Sequence, residues 1–287
     1  MRSMRRGTPR LGRRWLAVAG TAVTALAVTS LVATPAQATT SQTPIAGGGQ
    51  HAPFMGTTAA AKSGTAAATS PNWAGFATTG TPVTSVAGAW TQPSVVCPGK
   101  KLEQSAFWVG IDGYLKSDSN VEQVGTDSDC TKGTKRVPSH AVYYAWLEMV
   151  PAALVPLDPT TFPVVPGDAL SAGVSVVGSI YTLSISDATQ HWSYSTPELA
   201  ATPLPLNSSA EWIAEAPCSG SSCKVLPLAD FGSVTFTGAT VNGGPVNAAG
   251  LTDDLITMAK NKKASPKAST SSLDGTGHSF TVTWLTN

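Results

Sequence analysis

From about residue 70 onward, apolar and polar side chains alternate in short runs separated by Gly, Pro, Asn and Asp. A period of two places alternate residues on opposite faces and marks half-buried strands; the period of 3.6 that marks a helix is hard to find. Strands are predicted at Trp73 to Thr78, Val83 to Thr91, Ser105 to Ile111, Val121 to Gly125, Ala141 to Val150 and Ala169 to Val177. Further strands are predicted at Ile180 to Ser186, Trp192 to Thr196, Ala210 to Ala214, Gly232 to Thr237 and Phe280 to Thr286. Asp187-Ala188-Thr189-Gln190 reads as a hairpin turn and Pro166-Gly167-Asp168 as the turn before a strand. Lys260 to Ser272 reads as an exposed loop, after which the last strand pairs back into a sheet. The fold class is therefore all-β, a sandwich or a barrel.

The same alternation sorts side chains by face. Between Ala141 and Val150, Tyr144, Trp146 and Glu148 point one way while Ala145, Leu147 and Met149 point the other. Aromatic rings mixed with a carboxylate suit the lining of a cleft. Glu211, Ile213 and Glu215 share a face as well. Glu211 and Glu215 stand roughly 13 Å apart along a strand, too far to act as a coupled pair, so a partner for either must come from another strand.

Ahead of these strands, Arg2, Arg5, Arg6, Arg10, Arg13 and Arg14 precede an apolar run from Trp15 to about Ala33, followed by Ala36-Gln37-Ala38. This is the layout of a cleaved export signal over residues 1–38, with a retained membrane anchor as the rival reading. Arg13-Arg14-Trp15-Leu16 is compatible with twin-arginine export, so the route stays open. Residues 39–69 are mostly Ala, Thr, Gly and Ser and read as a linker or pro-segment, since so few large apolar groups offset little ordering entropy. A hypothesis attached to that segment is that low pH frees it and self-cleavage follows near residues 60 to 70. Residues 70–287 are expected to form one domain.

The formal charge of +1 conceals an acidic body, because the leader arginines and Lys62 are seven of the 18 basic residues, leaving 11 against 17 acids. That balance, without a basic stripe, excludes nucleic acid as the expected partner and suits work in acid. Cys97, Cys130, Cys218 and Cys223 all lie in the exported part, where disulfides persist. Cys218 with Cys223 would close a small loop, and Cys97 with Cys130 would then be the other bridge, though the sequence leaves the connectivity open. No C-x-x-C or clustered histidine accompanies them, so no metal site is expected.

Familiar hydrolytic devices are missing: there is no G-x-S-x-G, no H-E-x-x-H and no Gly-rich phosphate loop. His140, His191 and His278 sit beside no convincing nucleophile, and Asp274-Gly275-Thr276-Gly277 has its acid on the wrong side for an aspartic-protease turn. What remains are carboxylates and amides on strands. Asn72-Trp73-Ala74-Gly75, Trp108-Val109-Gly110-Ile111-Asp112-Gly113, Gln123-Val124-Gly125, Tyr143 to Glu148 ending at Pro151, and Ala210 to Glu215 occur in that order. In these blocks the chain resembles the glutamic peptidases, the eqolisin or G1 family.

The resemblance implies a sandwich of two curved antiparallel sheets, concanavalin- or lectin-like, with a substrate cleft on the concave face. It implies Gln123 and Glu215 as the catalytic pair, with Trp73, Trp108, Asp112, Tyr143 and Glu148, and more weakly Asp127, binding substrate or supporting the pair. The implied protein is a secreted monomer acting on proteins or peptides without any cofactor, and away from the membrane once its signal is removed. A glutamate base with an ordinary pKa near ~4.3 stays partly ionised in mild acid, where histidine is useless as a base. The stretch between Gly125 and Tyr143 is longer than the family's usual one, and Leu147 and Met149 stand where aromatics are commoner. Two alternatives use the same residues: a polysaccharide-cutting sandwich enzyme with Glu148 and Glu215 as its carboxyls, which would have to lie roughly 5 Å apart in a retaining mechanism, and an exported binding module stacking ligands on Trp73, Trp90 and Trp108.

Overall fold

The structure, a computed structural model, describes residues 49–58 and 66–287; the export signal expected over 1–38 lies outside these. Among the described residues all regular structure is β, and no helix is long and apolar enough to cross a membrane. The first sheet runs in the order Thr57–Thr58, Ala66–Ser70, Thr252–Met258, Trp73–Thr79, Ser209–Glu215, Ala106–Ile111, Val121–Cys130, Ala141–Val150 and Val155–Pro156. All its pairings are antiparallel except that of Ala66–Ser70 with Thr252–Met258. The second sheet is Trp192–Leu199, Ile180–Asp187, Ala169–Val177, Ser85–Thr91 and Ser233–Val241. Ser233–Val241 also pairs with Phe280–Trp284, which continues through Ala268–Thr270 to Thr252–Met258, so the sheets join along one margin.

Alternation explains the two layers. Phe76, Phe107, Val109, Val124, Leu147 and Trp212 of the first sheet meet Val86, Trp90, Leu170, Val174, Leu183 and Ile185 of the second in the main core. The second sheet turns its other face to water, as the strict buried-and-exposed alternation of Ala169–Val177 records. The first sheet is covered on both faces: every residue of Val121–Cys130 and of Ser209–Glu215 is buried. Its outer face carries a second apolar cluster of Trp73, Trp108, Tyr114, Tyr144, Trp146 and Ile213. Burying three indoles so completely gives this face large contact area and rigid walls. The disulfides are Cys97–Cys130 and Cys218–Cys223.

The predicted hairpin turn after Asp187 is present, its carboxylate accepting hydrogen bonds from the Thr189 and Gln190 amides. Other strands depart from the sequence reading for identifiable reasons. Val121–Cys130 runs past Gly125 because its polar half is satisfied from neighbouring segments, Ser128 by Gln92 and Asp127 by Tyr144 and Trp146. Thr252–Met258 carries the adjacent acids Asp253 and Asp254 and Ala66–Ser70 reads Ala-Ala-Ala-Thr-Ser, so neither carries a clear alternation; each forms by backbone pairing with the other and with neighbours. Ala268–Thr270 lies inside the stretch expected to be an exposed loop and bridges two sheet strands.

Candidate active site

Glu215 ends the strand Ser209–Glu215, flanked in register by Trp73 and Ala106. One strand further, Trp108 sits opposite Ile213, and its indole N–H donates to Glu215 Oε2 at 2.9 Å. Gln123 lies opposite Gly110 on one side and Glu148 on the other. Its amide nitrogen donates to Glu148 Oε2 at 2.9 Å, while its Oε1 is buried with no hydrogen-bond partner among the described residues. Two glycines make the arrangement possible. A Cβ on Gly125 would fall 2.5 Å from that of Trp108, and one on Gly110 would lie 2.9 Å from the Trp108 ring and 3.2 Å from Gln123 Cβ. Neither contact is tolerable without displacing the indole that holds Glu215.

Asp127 accepts from the Trp146 indole at 2.6 Å and from the Tyr144 hydroxyl at 2.7 Å, fixing both rings. Behind it Asp129 accepts from Gln104 at 2.7 Å, and burial and the Asp127 charge push its carboxyl well above the usual range.

A stretch of the chain's own N-terminal portion lies across these groups. Gln50 exchanges two backbone hydrogen bonds with Cys218, each 2.8 Å. The His51 ring stacks on Trp146 with centroids 3.8 Å apart; its Nδ1 is 3.2 Å from Glu148 Oε2 and its Nε2 3.4 Å from Asp127 Oδ1. The Ala52 amide donates to Glu215 Oε1 at 3.0 Å, and its carbonyl accepts from Trp73 Nε1 at 3.0 Å and from Asn72. Phe54 packs against Tyr114 and Trp73. Gln123 and Glu215 are thus linked through Glu148, His51 and Ala52. Covered in this way, Glu215 is pushed up to about 8 by burial, against the pull of His51, the Ala52 amide and Trp108.

The structure brings Trp73, Trp108, Gln123, Asp127, Glu148 and Glu215 onto one face. It separates two other candidates from them. Tyr143 is a correction: alternation turns it to the inter-sheet side, where its hydroxyl accepts from the Val95 amide and its ring packs on the main core, so Tyr144 is the tyrosine on the cleft face. Asp112 lies beyond the opposite end of its strand from Ala106, the neighbour of Glu215, and there braces a loop by accepting from the Asn207 and Ser208 amides. Burial, with Asp118 alongside, holds its carboxyl near 6. His51 escaped the sequence reading because it lies in the small-residue tract; the signal available was that His51, Phe54 and Met55 are large side chains isolated in that tract. No group of three or more His, Cys, Asp or Glu among the described residues is placed to hold a metal ion.

Residues 71–284 match the Peptidase A4 family. No curated protein matches the chain. Among solved structures, scytalido-glutamic peptidase with a transition-state-analogue inhibitor aligns with a TM-score of 0.61 at 21% identity, covering 75% of this chain and 98% of that one. SCP-B, a member of the eqolisin family solved with the tripeptide Ala-Ile-His, aligns with a TM-score of 0.55 at 19% identity, again covering 75% and 98%. At such identities the structures share the fold, two curved sheets in a sandwich, and the family match adds the rest. The chain belongs to the Peptidase A4 family, the eqolisins or glutamic peptidases, and is a glutamic endopeptidase.

Proposed function

We propose that this endopeptidase cuts proteins or peptides in acid, with Glu215 moving the proton and Gln123 steadying the oxyanion. Glu215, as carboxylate, takes a proton from a water whose oxygen bonds to the peptide carbonyl carbon. The tetrahedral oxyanion accepts from the Gln123 amide N–H; the C–N bond then breaks as Glu215 passes its proton to the leaving nitrogen. A new carboxyl end and a new amine result, and Glu215 is ionised again.

The observation that carries the reading is the peptide N–H of Ala52 on Glu215 Oε1, with the Trp108 indole holding the other oxygen. A carboxyl already addressed by a peptide nitrogen is placed to protonate one. Glu148 and Asp127 are positioning groups here, the first aiming Gln123 and the second locking Trp146 and Tyr144. The protein works outside the cell in this reading, supported by its arginine-led apolar start and two disulfides. Residues 39–69 are its pro-segment and 70–287 its peptidase domain.

The test is digestion of an unfolded protein by wild type and by Glu215→Gln from about pH 2 to pH 8, with a chelator present, counting new peptides. Cleavage confined to acid and lost in the variant is the expected result. A variant that cuts as well as wild type removes Glu215 from the mechanism.

A further inference from the structure

The groups around His51 form a built side-chain pocket. Trp146 supplies a flat floor 3.8 Å from the imidazole, and carboxylates stand at both ring nitrogens, Glu148 at 3.2 Å and Asp127 at 3.4 Å. The His51 side chain and Asp127 are fully enclosed. An aromatic face with two acids at its rim favours a planar cation over a neutral or anionic side chain. Burial opposes a charge on His51, yet the Asp127 and Glu148 carboxylates outweigh it and keep the imidazolium form well above the ordinary histidine range. The other titratable groups whose fields His51 reaches are Asp129 and Glu215, and both are acids.

The backbone supplies the register. The nitrogen held by Glu215 is that of Ala52, which is the nitrogen of the His51–Ala52 peptide bond. Glu215 delivers its proton to the leaving nitrogen under the proposed mechanism, so the side chain in the pocket belongs to the residue just before the bond being cut. The cleft also continues along the segment, as a cavity of about 640 Å³ walled by Tyr144, Glu148, Leu154 and Cys218. There is room for a longer substrate.

Resting on the assignment of Glu215, we propose that Trp146, Asp127 and Glu148 are the specificity pocket of this peptidase, selecting a cationic side chain, histidine foremost, immediately before the scissile bond. His51 is its resident occupant, and the segment Gln50–Phe54 lies in the cleft as a substrate would.

The full chain carrying His51→Ala opens the pocket without touching its walls. Peptides identical except for His, Lys, Leu or Glu before a single cleavable bond are compared by kcat/KM. The expected order is His, then Lys, then Leu, then Glu, with His over Leu by about tenfold. Asp127→Asn in the same chain should bring that ratio close to one whatever it does to the overall rate. Should that variant not fold, Trp146→Phe, which leaves both carboxylates, should lower the ratio about threefold. Equal rates for His and Leu, or a preference indifferent to these substitutions, would overturn the proposal. If no peptide is cut, the Gln50–Phe54 backbone still held at Cys218 and Glu215 closes the cleft; the Glu215→Gln digestion then decides the assignment of Glu215, and the pocket is tested by calorimetry. In that case Gly-Gln-His-Ala-Pro-Phe should bind the His51→Ala chain about tenfold tighter than its Leu counterpart, and equal or absent binding overturns the pocket.

Discussion

Glu211 and Glu215 occupy the same face of one strand, four residues apart, and both are fully enclosed. Their surroundings differ. Glu215 has an N–H on each oxygen, from Ala52 and Trp108, and lies against the cleft. Neither oxygen of Glu211 is within hydrogen-bonding geometry of a donor among the described residues, and its neighbours include the acids Asp112, Glu122 and Asp118. Burial drives both carboxyls upward; two N–H donors stabilise the Glu215 anion, whereas Glu211 has only the nearby Ser209 hydroxyl to do so. Burial alone makes a neutral carboxylic acid that packs; donors, together with access to water once the cleft is free, make one that exchanges a proton at each turnover.

Isosteric amides should separate the two. Glu215→Gln keeps the shape and removes the base, so cleavage of an unfolded protein in acid should fall by about 10³-fold or more with little change in melting temperature. Glu211→Gln replaces a protonated acid with a neutral isostere and should leave the acid rate within about twofold. Equal losses in the two variants would mean that the donors around Glu215 do not mark the catalytic member.

Gln123→Ala comes next, with an expected fall in kcat of about 10²–10³-fold, as for loss of one oxyanion donor. Trp108→Phe tests the comparison more finely: it preserves the ring and removes the N–H on Glu215 Oε2, making Glu215 more like Glu211. A loss of about 10- to 100-fold is expected, with the acid limb of the pH–rate profile moved upward because the carboxylate has lost a donor. An unmoved limb would show that Trp108 only packs.

How far this contrast was legible in the sequence depends on which residues carry it. Alternation gave the shared face of Glu211 and Glu215, and the cleft face of Tyr144, Trp146 and Glu148, because a strand's period leaves no freedom in side. The pairing of Gln123 with Glu148 and of Ile213 with Trp108 is a register between strands far apart in sequence, which local pattern does not encode; the family resemblance named the catalytic pair instead. Tyr143 shows the limit of motif reading, since the alternation of its own strand assigns it to the other face. The polar half of Val121–Cys130 and the segment at His51 carry no strand signal for one reason: each is held by polar partners supplied from elsewhere in the chain, and composition records no partners.

The smallest effect concerns the pH dependence of the fold. Glu122 is pushed up to about 9 by burial and by Asp112 and Asp118, and Glu211 stands well above the ordinary range for the same kinds of cause. An unfolded glutamate titrates near ~4.3. Below that pH both states hold the proton and the full stability is present. As pH rises, the unfolded chain ionises first, and stability is lost progressively until the folded-state pKa is passed. Asp158 and Asp274 have lowered pKa values and act in the opposite sense, but both lie on exposed turns where solvent screens them. The net expectation is a melting temperature highest near pH 4 and lower at pH 8. Glu211→Gln should flatten that slope and Glu122→Gln should flatten it further, because neither amide has a proton to lose. A slope unchanged in the double variant would place the titrating groups elsewhere, with Asp112, held near 6, and the covered Glu215, near 8, the next to replace.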